Sequence, residues 1–184
     1  ELRLMISGGA AADPQISKGF INLGIEVVQG YGLTETAPVI AAENVKQVRN
    51  GSVGVAMIND TIEIHNPDEN GIGEIKVKGP NLMLGYYEMP EETERVLKDG
   101  WFNTEDYGYI NKKGQLVISG RKKNLIVLDN GKNVFPEEIE NFILGIDYVL
   151  EVVVKGKKNE IGQEVALIAE VYLNPERVGE IENV

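Results

Sequence analysis

Hydrophobic positions recur along this chain with two different periods, and the switches between them outline a series of short elements. Leu2-Arg-Leu-Met-Ile-Ser7 and Ile25 to Val28 read as strands. Between them Ile16, Phe20 and Leu23 fall at helical spacing, opened by Asp13-Pro14 as N-cap and first-turn residue and closed by Gly24. Strand, helix and strand in this order predict a βαβ unit with parallel strands. The turn Ser7-Gly-Gly-Ala10 and the stretch after Val28 then leave the same carboxyl edge and can line one crevice. After Asn50 the period becomes two. Thr61-Ile-Glu-Ile-His65 and Glu74-Ile-Lys-Val-Lys78 flank a turn-rich segment and predict an antiparallel, half-exposed sheet. Pro90 to Lys98 reads as a helix with acids early and Lys late, closed by Asp99-Gly100. The polar and aromatic stretch Trp101 to Gly108 follows, then a strand from Tyr109, a turn at Asn111 to Gly114 and the strand Gln115 to Ser119.

Beyond Gly120 a new mixed unit is predicted. It comprises a strand at Leu125 to Leu128, a turn at Asp129-Asn-Gly131, a helix opened by Pro136 with Ile139, Phe142 and Ile143 on one face, strands at Val149 to Val154 and Val165 to Leu173, and a helix from Asn174-Pro175. The fold class is therefore α/β and α+β. The expected organisation is the end of a larger α/β subdomain at 1–60, an antiparallel β subdomain at 61–120, and a hinge with a small, truncated α+β domain at 121–184. The first strand begins without preparation and the last helix is cut short, so the expectation is a fragment of a longer protein.

Composition narrows the partners. With 18 Lys+Arg against 29 Asp+Glu, the net charge of −11 repels a polyanion and argues against nucleic acid. The absence of cysteine excludes disulfides, thiolate metal sites and a cysteine nucleophile. No apolar run reaches membrane-spanning length and no signal peptide is visible, so the expected location is cytoplasmic, with no transmembrane segment; peripheral membrane association and oligomeric state stay open. Asn50-Gly-Ser52 and Asn59-Asp-Thr61 read as chance sequons in that setting.

The densest chemistry lies in Gln29-Gly-Tyr-Gly-Leu-Thr-Glu-Thr36, read as a small-residue turn after a strand. Gly30 and Gly32 allow backbone angles or close approaches closed to other residues, Tyr31 offers a face for a flat ring, Thr34 and Thr36 can donate to phosphate oxygens, and Glu35 suits a hard cation. Asp106 can accept two vicinal hydroxyls or simply cap a turn. His65 shares a polar strand face with Thr61 and Glu63 and reads as solvated. A P-loop is absent, and Gly30-Tyr-Gly32 and Gly71-Ile-Gly73 each lack the third glycine of a dinucleotide fingerprint.

Several ordered motifs nevertheless resemble those of the adenylate-forming superfamily, which includes acyl-CoA synthetases, luciferases and nonribosomal adenylation domains. Ser7-Gly-Gly-Ala10 resembles its adenine-edge turn, Gln29 to Thr36 its most characteristic loop, and Gly73 to Pro80 with Gly85-Tyr-Tyr87 the strand pair that follows. Trp101 to Asp106 and Gly120-Arg-Lys-Lys-Asn-Leu-Ile126 are similar to its ribose-binding stretch and interdomain hinge, while Gly131 to Glu140 is most similar to medium- and long-chain fatty acyl-CoA ligases. The resemblance implies nucleotide contacts by Gly8, Gly9, Ala10, Gly30, Tyr31, Gly32, Thr34, Asp106 and Arg121. Tyr31 would stack on adenine, Asp106 would take the ribose hydroxyls, Thr34 and Glu35 would act catalytically at the α-phosphate and at Mg²⁺, and Lys123 would be the hinge. It implies ATP or AMP, Mg²⁺ and CoA as cofactors and co-substrate, with a fatty or other carboxylic acid as substrate. Glu105 stands where the family usually has glycine. The family's upstream phosphate loop and its C-terminal lysine are not in this chain, so the chain alone is expected to be inactive. Alternatives are a nonribosomal-type adenylation domain and a non-catalytic AMP-binding module.

Overall fold

The computed structural model describes residues 2–9, 12, 14–45, 51–159 and 161–181. The chain divides into two compact units, Glu1–Ile118 and Ser119–Val184.

The first unit opens with the expected βαβ arrangement. Strand β1 (Leu4–Gly8) runs parallel to β2 (Glu26–Gly32), with Leu4 opposite Glu26 and Gly8 opposite Gly30, and helix α1 (Pro14–Asn22) makes the crossover. Asp13, the expected N-cap, lies outside the described residues. Phe20 is half-buried, but Ile16 and Leu23 stay exposed. The sheet continues antiparallel through β3 (Val39–Ala42) and β4 (Val55–Ala56), so it is mixed rather than purely parallel.

One expectation is corrected here. Gly30-Tyr-Gly32 is not a turn but the end of β2, paired with Ala42, Ala41 and Val39 of β3. Neither glycine has a positive φ. Gly32 is needed for closeness instead, since a Cβ there would stand 1.7 Å from the Pro38 carbonyl oxygen. The register slips between Tyr31 and Gly32, leaving Ile40 as an unpaired residue of β3, and that side chain is fully buried.

The second sheet has the order β5 (Thr61–His65), β6 (Gly73–Lys78), β8 (Trp101–Ile110), β7 (Leu97–Lys98), with β9 (Leu116–Arg121) also on β8. The antiparallel β5–β6 hairpin follows the alternating pattern. His65 faces Glu63 at 3.6 Å on the partly exposed face. Helix α2 (Pro90–Val96) is shorter than expected, because Leu97 and Lys98 turn back onto Phe102 and Trp101. Asp99 and Gly100 have φ of 53° and 77°, the pair of positive angles that a two-residue hairpin turn with matching twist requires. The stretch Trp101 to Gly108 is likewise strand throughout, with Phe102, Thr104, Asp106 and Gly108 on the buried face.

These two sheets close over one core. Ile40 and Ala41 of β3, Ile75 and Val77 of β6, and Leu116 of β9 are fully buried, and Tyr31, Leu33, Ile62 and Ile64 pack around them. A bridge between Gly54 and Leu116 ties the sheets at one point.

In the second unit β10 (Ile126–Val127) pairs with β11 (Asn133–Val134), α3 (Pro136–Leu144) packs on β12 (Val149–Lys158), β12 pairs antiparallel with β13 (Glu164–Leu173), and α4 (Pro175–Ile181) follows. The carboxylate of Glu140 accepts the Val154 N–H at 2.7 Å, joining α3 to β12. Ile139 and Ile143 are half-buried, whereas Phe142, expected on the same face, is exposed. No helix among the described residues is long and apolar enough to cross a membrane.

Candidate functional site

Two of the residues singled out by the sequence meet directly. The Tyr31 hydroxyl donates to Asp106 Oδ2 at 2.7 Å, although the residues are far apart in the chain. Tyr31 is half-buried on the core and Asp106 is buried. A carboxylate removed from water in this way is stable only when hydrogen-bonded.

A bulge in β8 aims Asp106. Glu74 pairs with Tyr107 and Lys76 with Asn103, so Thr104, Glu105 and Asp106 stand opposite the single residue Ile75. Glu105 takes the left-handed conformation that such a bulge needs, φ 60°. Thr104 secures the irregularity: its hydroxyl donates to the Ile75 carbonyl at 2.8 Å and accepts the Asp106 N–H at 3.1 Å. The Glu105 carboxylate is held by Arg95 Nη1 at 2.5 Å, and Arg95 Nε reaches Glu92 at 2.9 Å. These bonds hold the guanidinium pKa above its ordinary value, Glu105 contributing first and Glu92 next. The pair is surface-exposed, so it fixes geometry more than it adds stability.

Beyond β2 the chain turns through a short 3₁₀ segment, Thr34–Thr36. Thr36 is fully buried; its hydroxyl accepts the Leu33 N–H at 3.0 Å and lies within hydrogen-bonding distance of the Leu33 and Pro38 carbonyls. Of the two threonines expected to face phosphate, Thr36 is thus occupied in holding the turn, while Thr34 is exposed. Glu35 is half-buried, and the Tyr86 hydroxyl donates to its Oε1 at 2.9 Å. Its Oε2 accepts no hydrogen bond among the described residues. Burial raises the Tyr86 pKa first, with further contributions from the hydrogen bond to Glu35 and the nearby charges of Glu35 and Glu105, against a lowering by Arg95.

Gly8 lies in register with Gly30, so the first turn and the Tyr31 strand are neighbours at one sheet end; Gly9 has φ 89°, and Ala10 lies outside the described residues. The Gln29 side chain accepts the Ala12 N–H at 3.0 Å. Arg121 ends β9, Lys123 lies in the 3₁₀ turn Lys122–Asn124, and both are exposed residues of the second unit. Tyr86, Thr104, Thr93 and Arg95 had no assigned role in the sequence reading. Tyr86 and Thr104 lay inside resembling stretches, Gly85-Tyr-Tyr87 and Trp101 to Asp106, whereas Thr93 and Arg95 carried no such signal.

No group of three or more His, Asp or Glu residues able to hold a metal occurs among the described residues. A single carboxylate with one oxygen free, as at Glu35, nevertheless fits Mg²⁺, which keeps several waters and is commonly shared between one or two carboxylates and substrate phosphates.

Residues 1–87 match the family of AMP-binding enzymes. The chain is 40% identical over 142 residues to the long-chain-fatty-acid–CoA ligase heimdall of Drosophila melanogaster, an alignment covering 77% of this chain and 21% of that protein. It superposes on O-succinylbenzoate coenzyme A synthetase from Bacillus subtilis solved with AMP, with TM-score 0.82 and 30% identity, over 94% of this chain and 36% of the other. The same enzyme solved with ATP and magnesium ion gives TM-score 0.79 at 30% identity, over 93% and 36%. This chain therefore spans a fifth to somewhat over a third of the proteins it matches. With the Tyr31 stretch inside the matched segment and the superposition covering 94% of this chain, the chain belongs to the AMP-binding family of adenylate-forming enzymes.

Proposed function

We propose that the full-length protein is a fatty acyl-CoA ligase. The carboxylate oxygen of the acid attacks the α-phosphorus of ATP and pyrophosphate leaves; the CoA sulfur then attacks the carbonyl carbon of the acyl-adenylate and AMP leaves. The observation that carries this reading is the Tyr31–Asp106 hydrogen bond, which sets an aromatic face beside a carboxylate at one sheet end. That is the arrangement required to stack a base and accept the two hydroxyls of its ribose. Similarity to a long-chain ligase supports the fatty acid, and similarity to an AMP-bound structure supports the nucleotide.

In this reading Gly8, Gly9 and Ala10 border the adenine edge, while Gly30 and Gly32 let the backbone approach it closely. The exposed Thr34 hydroxyl donates to the α-phosphate. Glu35 holds Mg²⁺, which when bound neutralises phosphate charge. Arg121 assists from the hinge, and Lys123 serves as the pivot for the two half-reactions. Positioning and charge neutralisation supply most of the rate. The expected setting is the cytoplasm.

Acid-dependent exchange of pyrophosphate into ATP by the full-length protein, run across a panel of acids, tests the function. Exchange and thioester formation with long-chain fatty acids are expected, with no thioester from the 184-residue chain by itself. Exchange only with amino acids would favour a nonribosomal-type adenylation domain, and no exchange with any acid a non-catalytic AMP-binding module.

A further inference from the structure

The geometry points to Tyr86 as the positioning residue that holds the Glu35 carboxylate ready for a divalent cation, an inference that rests on Glu35 being the metal-binding carboxylate. The segment from Met83 to Tyr86 grips Glu35 at both ends. The Met83 N–H donates to the Glu35 carbonyl at 2.8 Å, and the Tyr86 hydroxyl donates to Oε1 at 2.9 Å. With its backbone and one carboxylate oxygen fixed, Glu35 keeps Oε2 as the remaining acceptor for a ligand.

Tyr86 is itself held from behind. Its N–H donates to Thr93 Oγ1 at 2.9 Å, and the Thr93 hydroxyl donates to the Met89 carbonyl at 2.8 Å, anchoring the segment to the first turn of α2. Gly85, at φ 149°, lets the chain pass this threonine, since a Cβ there would lie 2.8 Å from Thr93 Cγ2. A tyrosine hydroxyl ordinarily titrates at about 10, so at neutral pH it carries its proton and can act on Glu35 as a donor. Donors behind a metal-binding group fix its orientation, and their removal commonly weakens metal binding about 10–100-fold.

The test uses the full-length protein and reads ATP binding calorimetrically against Mg²⁺ concentration, with Mg²⁺-free AMP binding as the control. Tyr86→Phe removes only the hydroxyl. The expected result is a rise of about tenfold in the Mg²⁺ midpoint for Tyr86→Phe, a rise for Glu35→Gln as well, no further rise when the two are combined, and unchanged AMP affinity in Tyr86→Phe. An unchanged midpoint in Tyr86→Phe beside a raised one in Glu35→Gln overturns the role of Tyr86 while leaving that of Glu35. Equal weakening of AMP and Mg²⁺-ATP binding in Tyr86→Phe makes the tyrosine merely structural and overturns it too. An unchanged midpoint in Glu35→Gln removes the metal assignment and this inference with it.

Discussion

Glu105 holds a left-handed backbone inside a ten-residue strand, where a side chain costs roughly 1–2 kcal/mol that glycine avoids. Its carboxylate reaches Arg95, so the ion pair and the strain oppose each other. Replacing it separates the two effects. Glu105→Gly is expected to unfold no earlier than the natural chain despite losing the pair, and Glu105→Ala to be about 1 kcal/mol less stable than Glu105→Gly; thermal unfolding of the three proteins checks the order, and an alanine variant as stable as the glycine one contradicts the left-handed assignment. Gly32 presents the opposite case, a glycine required by proximity alone. Gly32→Ala must displace the Pro38 carbonyl and is expected to cost about 3 kcal/mol or more, measured by chemical denaturation. The sequence showed Glu105 as a departure from the family's usual glycine, but that the position needs a positive φ became visible only with the bulge.

At the scale of elements, β5 and β6 were legible because one face is apolar and the other charged. β8 was not, because its buried face carries Thr104 and Asp106 between Phe102 and Gly108, and polar residues facing inward break the expected alternation. Gly30-Tyr-Gly32 likewise read as a turn although it completes β2, Gly32 serving close packing against the Pro38 carbonyl rather than chain reversal. Helix α2 read too long because helical spacing does not reveal that Asp99-Gly100 folds Leu97 back as a strand. Thr104 ties the bulge to β6, so Thr104→Val leaves the Ile75 carbonyl and the Asp106 N–H without this partner. The expected loss is about 1–3 kcal/mol of stability, with weakened AMP binding as Asp106 loses its aim. Denaturation and AMP titration of the same variant check both parts; normal AMP affinity would show that Asp106 is positioned without Thr104.

At the scale of the molecule, the candidate residues fall in both units. Tyr31, Glu35 and Asp106 belong to the first unit, and Arg121 and Lys123 to the second. The ordered motifs singled out Tyr31, Glu35 and Asp106 in the first unit, whereas the bond from Tyr86 to Glu35 joins residues far apart in the chain and no spacing within Gly85-Tyr-Tyr87 announces it. Lys123 lies in a short 3₁₀ turn. Proline there fixes φ and removes an N–H, so in the full-length protein Lys123→Pro is expected to stop thioester formation while acyl-adenylate still forms; equal loss of both half-reactions, followed by quenched-flow analysis, contradicts a pivot. The proposed reception of a nucleotide's ribose by Asp106 is tested most directly by a thermodynamic cycle in the full-length protein. Calorimetric titration of natural and Asp106→Ala protein with AMP and with 2′,3′-dideoxy-AMP should show AMP favoured by about 10–100-fold in the natural protein, as expected for hydrogen bonds to a charged acceptor, and that preference abolished in Asp106→Ala. A preference for AMP that persists undiminished in Asp106→Ala would contradict it.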